Sequence, residues 1–143
     1  MSFLGTQILI ELVGCPRERL DDVEAVRGAL LSAADLGGLT VVNDVIHKFN
    51  PHGVSGVVVI AESHIAIHTW PEHGYASLDI YTCGDETKGK LAADYLVGLF
   101  EAQHHTMQVL RRGWVRGHHG MAEPILEMTS LPEDFEAARV PAR

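Results

Sequence analysis

The central segment of the chain, residues 56–69, constrains the fold most strongly. Gly56–Ala61 (GVVVIA) is an almost continuous β-branched run, which predicts a strand buried on both faces. Ile65, Ile67 and Thr69 recur at every second position and predict a second extended segment. The polar tripeptide Glu62-Ser63-His64 separates the two segments without the Gly, Pro or Asn that usually shapes a turn. The centre of the chain is therefore predicted to be β-structure interrupted by an unusual polar junction.

The remaining elements follow from the spacing of apolar residues. Four further strands are predicted, at residues 6–13, 39–49, 75–83 and 107–112, together with amphipathic helices at residues 17–36 and 88–103. This order predicts an α+β fold, a two-layer α/β sandwich with an antiparallel sheet and helices on one face. Residues 1–116 are expected to form a single domain. Residues 117–143 are expected to form an irregular tail, because they are rich in small and acidic residues and in proline.

Charge and hydropathy exclude several classes of protein. Nineteen acidic residues against eleven Lys and Arg give a formal net charge of −8, which argues against a nucleic-acid partner. No apolar run is long enough to cross a bilayer, so no membrane association is expected. The first residues lack the charged start of a signal peptide, and the cytoplasm is therefore the expected compartment.

Neither the cysteines nor the histidines predict a metal site. Cys15 and Cys83 match no metal-ligand spacing, and a disulfide between them is not expected in a cytoplasmic chain. The adjacent pairs His104-His105 and His118-His119 are poor chelators, because neighbouring side chains of an extended segment point in opposite directions. We therefore expect no bound metal.

Three reactive side chains stand out here: Ser63 in the polar junction, His68 five residues later, and Cys83 at the end of the next predicted strand. Together they suggest a nucleophile, a base and a proton donor. Each also has a structural interpretation, as a loop hydroxyl, a hydrogen-bonded strand histidine and an inert buried thiol respectively. A serine hydrolase is disfavoured, because no G-x-S-x-G motif surrounds Ser63.

A longer pattern contains all three residues. The segment FNPHGVSGVVVIAESHIAIHTWPEHGYASLDIYTCGD, Phe49–Asp85, closely resembles the prokaryotic, pyruvoyl-dependent S-adenosylmethionine decarboxylase proenzymes over about a quarter of the chain. The resemblance implies an inactive precursor that cuts itself between Glu62 and Ser63, leaving chains of residues 1–62 and 63–143. The Ser63 hydroxyl would attack the Glu62 carbonyl to give an ester, and elimination and hydrolysis would then leave a covalent pyruvoyl group in place of Ser63.

The resemblance also implies a role for each reactive residue. His68 corresponds to the processing base that removes the α-proton of Ser63, and Ser55 to a hydroxyl that assists cleavage. The pyruvoyl group would form a Schiff base with the substrate amine and take up the electron pair left by decarboxylation, a task that otherwise needs a cofactor such as pyridoxal phosphate. Cys83 would return a proton to the substrate Cα, since a thiol holds its proton at neutral pH.

The implied reaction converts S-adenosylmethionine to decarboxylated S-adenosylmethionine and CO2 for spermidine biosynthesis. Phe49 corresponds to an aromatic that stacks on adenine, and Glu72 to a carboxylate that binds the ribose hydroxyls. The alternative structural interpretation makes Phe49 a core residue and Glu72 a solvated turn residue. His64 and His73 flank the site and receive no role.

Two alternative functions remain open at this point. The same pyruvoyl chemistry could act on L-arginine or L-ornithine, or the chain could be an unprocessed, non-enzymatic relative. The resemblance further implies a homodimer of processed protomers in which each active site spans the interface. Asn50, His52, Ala61 and His73 depart from the common family pattern, and these departures leave Ser63, His68 and Cys83 unchanged.

Overall fold

Strand pairing organises the chain around one antiparallel sheet. The computed structural model describes residues 2–116 and 123–125. Its strands are β1 (Ser2–Val13), β2 (Val41–Lys48), β3 (Val54–Ile60), β4 (Ser63–Trp70), β5 (Tyr75–Thr82), β6 (His104–Arg116) and β7 (Glu123–Ile125), in the sheet order β2-β3-β4-β5-β1-β6-β7. The helices are α1 (Arg17–Asp21), α2 (Val23–Leu36) and α3 (Glu86–Leu99), with a short 3-10 helix at Pro71–His73. The predicted α+β sandwich is confirmed.

The helix predicted over residues 17–36 is two helices. Asp22 has an extended backbone (φ −94°, ψ 112°), which ends α1, and its carboxylate accepts the Ala25 N–H at 3.0 Å, which caps α2. A side-chain acceptor at this position satisfies a backbone donor that the helix itself cannot pair. The apolar periodicity continues across the break, so it could not reveal the boundary.

The core lies between the helices and one face of the sheet. Alternate residues of β1, β4 and β5, among them Ile10, Ile65 and Ile80, are fully buried against α2 and α3, which contribute Leu30 and Leu96. Burying each such side chain contributes about 1.5–3 kcal/mol. The sheet is therefore anchored to the helices through one face.

The prediction that residues 56–61 are buried on both faces is wrong. Side chains of β3 alternate between buried and exposed, and Val57 and Val59 are 37% and 42% exposed. Among the described residues, helices pack on only one side of the sheet, and no described element covers the second side. We call this second side the open face; its outward residues include Gln7, Val45, Val57, Val59, His64, His68, Asp79, Tyr81 and Leu110.

The predicted tail, residues 117–143, falls largely outside the described residues. Within it, Glu123–Ile125 forms β7, which pairs with the end of β6. In the described part of the chain, no helix combines the length and the apolar character that crossing a membrane would require.

One carboxylate fastens the loop between β2 and β3 to α1. Asp21 accepts a hydrogen bond from Lys48 and a second, of 2.9 Å, from the backbone N–H of Gly53. These bonds hold the pKa of the Asp21 carboxyl below its ordinary value of 3.8. The loop of residues 49–53 is therefore tied to the helical layer at both ends.

We expect Asp21→Asn to lower the free energy of unfolding by about 1 kcal/mol at pH 7, because a charged acceptor of two hydrogen bonds is lost. A carboxyl with a lowered pKa stabilises the fold above its unfolded pKa, and this contribution disappears as the pH falls through the folded value. The difference between the variant and the unmodified chain should therefore shrink below about pH 4. Urea unfolding at several pH values measures it.

Asp35→Asn is the matched control, since Asp35 is exposed and its side chain has no hydrogen bond among the described residues. It should change stability little at any pH. A deficit in Asp21→Asn that stays the same from pH 7 to pH 3 would contradict this account of the loop.

Candidate active site

The polar junction is a two-residue turn between β3 and β4. Ile60 and Ser63 pair across it, and Ala61 and Glu62 form its tip. Ser63 has φ 147°, a backbone region adopted almost only by glycine, and holding another residue there costs about 1–3 kcal/mol. The backbone strain therefore falls on the residue that follows the predicted scissile bond.

Thr40 holds this turn in place. Its carbonyl accepts the Ala61 N–H at 2.8 Å, and its own N–H donates to the Glu62 carboxylate at 3.1 Å. Partial burial raises the pKa of the Glu62 carboxyl, but the N–H groups of Thr40 and of Glu62 itself, with the charge of Lys88, outweigh it and lower the pKa. The side chain of Glu62 is therefore a fixed anion whose contacts immobilise the turn.

The carbonyl of Glu62 accepts two hydrogen bonds from one residue. The backbone N–H of Cys83 lies 2.9 Å from this oxygen, and the Cys83 thiol lies 3.1 Å from it. Cys83 follows the end of β5, and Ser63 pairs with Thr82, so the sheet register brings the thiol to the turn. Two donors aimed at a carbonyl oxygen are the arrangement that stabilises negative charge developing there.

The Ser63 hydroxyl has its own neighbour. Ser63 Oγ lies 3.3 Å from His64 Nδ1, and His64 Nε2 lies 2.7 Å from a carboxylate oxygen of Asp79. Neither His64 nor Asp79 received a role from the sequence. Asp79 occupies an outward position of an alternating strand, where a carboxylate is expected merely to face solvent.

A second cluster of predicted residues lies around a cleft at the other end of β4. The cleft has a volume of about 350 Å³, and its walls include Phe49, His52, Ser55, His68, Trp70 and Glu72. Ser55 Oγ lies 2.9 Å from His68 Nδ1, because the two residues are paired across β3 and β4. Phe49 is 48% exposed and packs edge-on against His47 with ring centroids 4.7 Å apart. Phe49 is therefore not a core residue.

The single chain keeps the two clusters apart. Ser63 and His68 are five residues from each other on the same strand, a separation of about 16 Å at roughly 3.3 Å per residue. Ser63 and Cys83 form one group, while Phe49, Ser55 and His68 form the other with Glu72. The predicted processing base therefore does not reach Ser63 within one protomer.

No metal centre accompanies either group. Within residues 2–116 and 123–125, no three His, Cys, Asp or Glu side chains are grouped closely enough to hold a metal ion. The histidines of both clusters instead hydrogen-bond to serine hydroxyls and to a carboxylate.

Comparison with known proteins decides the family. A family model described as S-adenosylmethionine decarboxylase matches residues 6–113. The chain belongs to the S-adenosylmethionine decarboxylase family. This confirms the family and the enzyme class that the resemblance of Phe49–Asp85 implied.

Individual relatives of this decarboxylase cover most of its length. An S-adenosylmethionine decarboxylase proenzyme from Thermodesulfovibrio yellowstonii is 47% identical over 79% of this chain and 84% of its own. One from Pelotomaculum thermopropionicum is 49% identical over 79% of this chain and 90% of its own. The crystal structure of the adenosylmethionine decarboxylase from Aquifex aeolicus superposes with a TM-score of 0.80 at 40% identity, covering 85% of this chain and all of that one.

These comparisons also bear on the open alternatives. All three relatives are named for S-adenosylmethionine, and none for arginine or ornithine, so those substrates are not favoured. Two of the names describe proenzymes, as the predicted self-cleavage requires. The roles assigned to individual residues stay predictions.

The strain at Ser63 predicts an unusual order of stability between two variants that both lack the hydroxyl. We expect Ser63→Gly to unfold at higher urea concentration than Ser63→Ala, by about 1 kcal/mol. Relief of strain worth about 1–3 kcal/mol outweighs the extra entropy of glycine, about 0.5–1 kcal/mol. Equilibrium unfolding of the two uncleaved chains provides the measurement.

The same pair of substitutions at Ser77, an interior position of β5 without a positive φ, supplies the control. There glycine should be the less stable of the two. If Ser63→Ala also proves more stable than Ser63→Gly, the turn is unstrained.

Proposed function

We propose that this chain is a self-processing decarboxylase of S-adenosylmethionine, which cuts its own backbone between Glu62 and Ser63 and carries a pyruvoyl group derived from Ser63. The reaction yields decarboxylated S-adenosylmethionine and CO2 and supplies spermidine biosynthesis. The observation that carries the proposal is the Glu62 carbonyl, held by both donors of Cys83 directly before a strained serine.

The geometry suits an N-to-O acyl shift. When the Ser63 hydroxyl attacks the Glu62 carbonyl carbon, negative charge moves onto the carbonyl oxygen. The Cys83 N–H and thiol already point at that oxygen at 2.9 and 3.1 Å, so they stabilise the charge without rearranging. Breaking the peptide bond also releases the strain at Ser63.

The site also fits the group that the proposal requires. Ser63 lies beside an exposed thiol at a turn on the surface, where a substrate has access once the backbone is cut. A pyruvoyl group there supplies an electrophilic carbonyl that takes up the electron pair released when CO2 leaves. Cys83 would then return a proton to the substrate Cα.

Completion of processing requires a base that removes the α-proton of Ser63. His68 is the predicted base, yet it lies about 16 Å away in the same chain. We therefore propose a homodimer in which the open faces of two protomers pack together. Each Ser63 then meets His68 of the partner subunit.

The positions of the two clusters on β4 favour this arrangement. A two-fold axis through the middle of the strand, near Ala66, exchanges its two ends and therefore brings position 63 of one protomer to position 68 of the other. The axis also passes through the open face, where Val45, Val57 and Val59 are 66%, 37% and 42% exposed. Covering this apolar surface provides a driving force for association.

The same pairing completes a substrate site. The cleft of one protomer carries Phe49, whose exposed ring offers a flat surface to a purine, and Glu72, whose carboxylate accepts hydrogen bonds from a diol. The partner protomer contributes Ser63 and Cys83. S-adenosylmethionine would thus bind its nucleoside in one protomer and react at the other.

The intact mass of the denatured protein tests self-cleavage. We expect two chains, residues 1–62 and residues 63–143, with masses that together account for the 15.6 kDa precursor, and a blocked N-terminus on the second.

The cleaved protein should release CO2 from S-adenosylmethionine and not from arginine or ornithine. Phe49→Ala should raise KM for S-adenosylmethionine by about tenfold, since stacking on a base contributes about 1–3 kcal/mol.

Ser63→Ala is the control for self-cleavage and should remain a single chain of full mass. A wild-type chain that stays uncut after prolonged incubation would refute the proposal, and the non-enzymatic relative would then be the better interpretation.

Mixed dimers test whether the site is shared. Neither Ser63→Ala nor His68→Ala should complete processing alone, because each homodimer lacks one essential group. When the two are coexpressed, the His68→Ala chain keeps its Ser63 and should meet an intact His68 of the partner subunit. We therefore expect cleavage of the His68→Ala chain in the mixture, detected by mass spectrometry of differently tagged chains.

Copurification of the two tags establishes that mixed dimers formed. If they copurify and no chain is cleaved, Ser63 and His68 act within one protomer and the shared site is incorrect.

A further inference from the structure

A line of hydrogen bonds runs from Ser63 across the open face. Ser63 Oγ lies 3.3 Å from His64 Nδ1, and His64 Nε2 lies 2.7 Å from Asp79 Oδ2. Gln7 Nε2 donates to the same Asp79 oxygen at 3.0 Å, and Arg112 Nη1 donates to Gln7 Oε1 at 2.8 Å. The line connects residues of β4, β5, β1 and β6.

The hydrogen bonds determine which nitrogen of His64 carries the proton. The Asp79 carboxylate is an acceptor, and its Oδ2 also accepts a hydrogen bond from Gln7 Nε2, so His64 must donate to it through Nε2–H. A neutral imidazole protonated on Nε2 presents a lone pair on Nδ1. That lone pair faces the Ser63 hydroxyl, and Nδ1 makes no other hydrogen bond among the described residues.

Gln7 in turn fixes Asp79. Its amide nitrogen donates to the carboxylate, while its amide oxygen accepts from Arg112, so the orientation of the amide is determined from both sides. The Arg112 guanidinium also lies over the Tyr81 ring, 5.1 Å from its centroid. Gln7 is 9% exposed, so it is held within this arrangement rather than free in solvent.

We propose that His64 is the base that activates Ser63 for the acyl shift and that Asp79 is its positioning residue. The inference rests on the proposed self-cleavage and divides its proton transfers between two histidines. His64 serves the first step, in which the ester forms, and His68 of the partner subunit serves the later elimination. The first step therefore needs only groups of the protomer that is cut.

Bonds and protons balance in this step. The Ser63 hydroxyl proton passes to His64 Nδ1 as Ser63 Oγ bonds to the Glu62 carbonyl carbon, and the resulting oxyanion is held by Cys83. The C–N bond then breaks, and the same proton moves from His64 to the leaving amine of Ser63. The product is an ester with a free amine, and His64 is neutral again.

The test separates ester formation from the later elimination. Hydroxylamine cleaves an ester and leaves an amide intact. We expect His64→Gln to slow cleavage of the precursor by about 10²–10⁴-fold, the usual contribution of a general base, and to accumulate uncut chain that resists hydroxylamine. His68→Ala should instead accumulate uncut chain that hydroxylamine cleaves before residue 63.

Asp79→Asn tests the positioning role with little change of side-chain size. The Asn amide oxygen can still accept from Gln7 and from His64 Nε2, as Asp79 Oδ2 does, but it carries no negative charge to stabilise the imidazolium that forms when His64 takes the Ser63 proton. We expect at least about tenfold slower ester formation. This variant also carries the test if His64→Gln fails to fold.

The pH dependence of ester formation is a readout that a merely structural role would not change. A general base contributes only in its unprotonated form, so in the His68→Ala background the pH profile of ester formation should change when His64→Gln is added. The titratable groups that face His64 are Asp79 and Tyr81 of β5, and Arg112 of β6 lies beyond Tyr81. From β3, His64 faces Val59.

His105→Gln is the matched control, since His105 is exposed on β6 and pairs with Leu12, away from the turn. It should be processed at the wild-type rate. Processing of both His64→Gln and Asp79→Asn within about threefold of the wild type would refute the role of His64, as would accumulation of the ester in His64→Gln. A wild-type chain that is never cut would overturn the proposed function itself. Failure of the His64 role and failure of self-cleavage therefore give different results.

Discussion

The site depends on the pair of hydrogen bonds that Cys83 donates to the Glu62 carbonyl. These bonds join the end of β5 to the tip of the β3–β4 turn, and they act on the carbonyl whose carbon Ser63 attacks in the proposed self-cleavage. A carbonyl paired with two donors is polarised toward attack, while the positive φ of Ser63 raises the energy of the uncut backbone. The hydrogen bonds that hold the turn are thus the same ones that prepare it for the proposed cleavage.

The sheet supplies the precision that this contact needs. Ser63 pairs with Thr82, and continuation of that register places Cys83 opposite Glu62. On the other side of the turn, Thr40 binds both the Ala61 N–H and the Glu62 carboxylate. Since the turn is fixed from both sides, Ser63 cannot relax to an ordinary backbone conformation without breaking these hydrogen bonds.

The open face, which no described element covers, explains how one small domain holds two separate groups of reactive residues. Helices on one side bury the core, and the other side keeps exposed valines together with His64, His68 and Asp79. Hydrogen bonds on such a face become stronger when a second copy packs against it, because packing lowers the local dielectric. We propose that the cut protomer activates its own serine and that the partner subunit completes the processing.

The fold class and the family of this protein can be predicted from patterns among neighbouring residues in the sequence. The spacing of apolar residues predicts the α+β sandwich, and the motif Phe49–Asp85 predicts the family, because both are properties of neighbouring residues. The same patterns gave the wrong burial for β3, since an apolar strand does not reveal how many of its faces are covered. They also missed the helix break at Asp22, because the apolar periodicity continues across it.

The sequence by itself therefore determined most of the elements, the family and the candidate residues Ser63, His68 and Cys83. Only the tertiary structure decided which of them meet. The Cys83 thiol reaches the Glu62 carbonyl, and His64 reaches Asp79, through strand register between residues 15 to 21 positions apart. His68 lies at the far end of the strand that begins with Ser63. Distances across a sheet depend on hydrogen-bond register and on which face is covered, and neither is recorded in the local order of side chains.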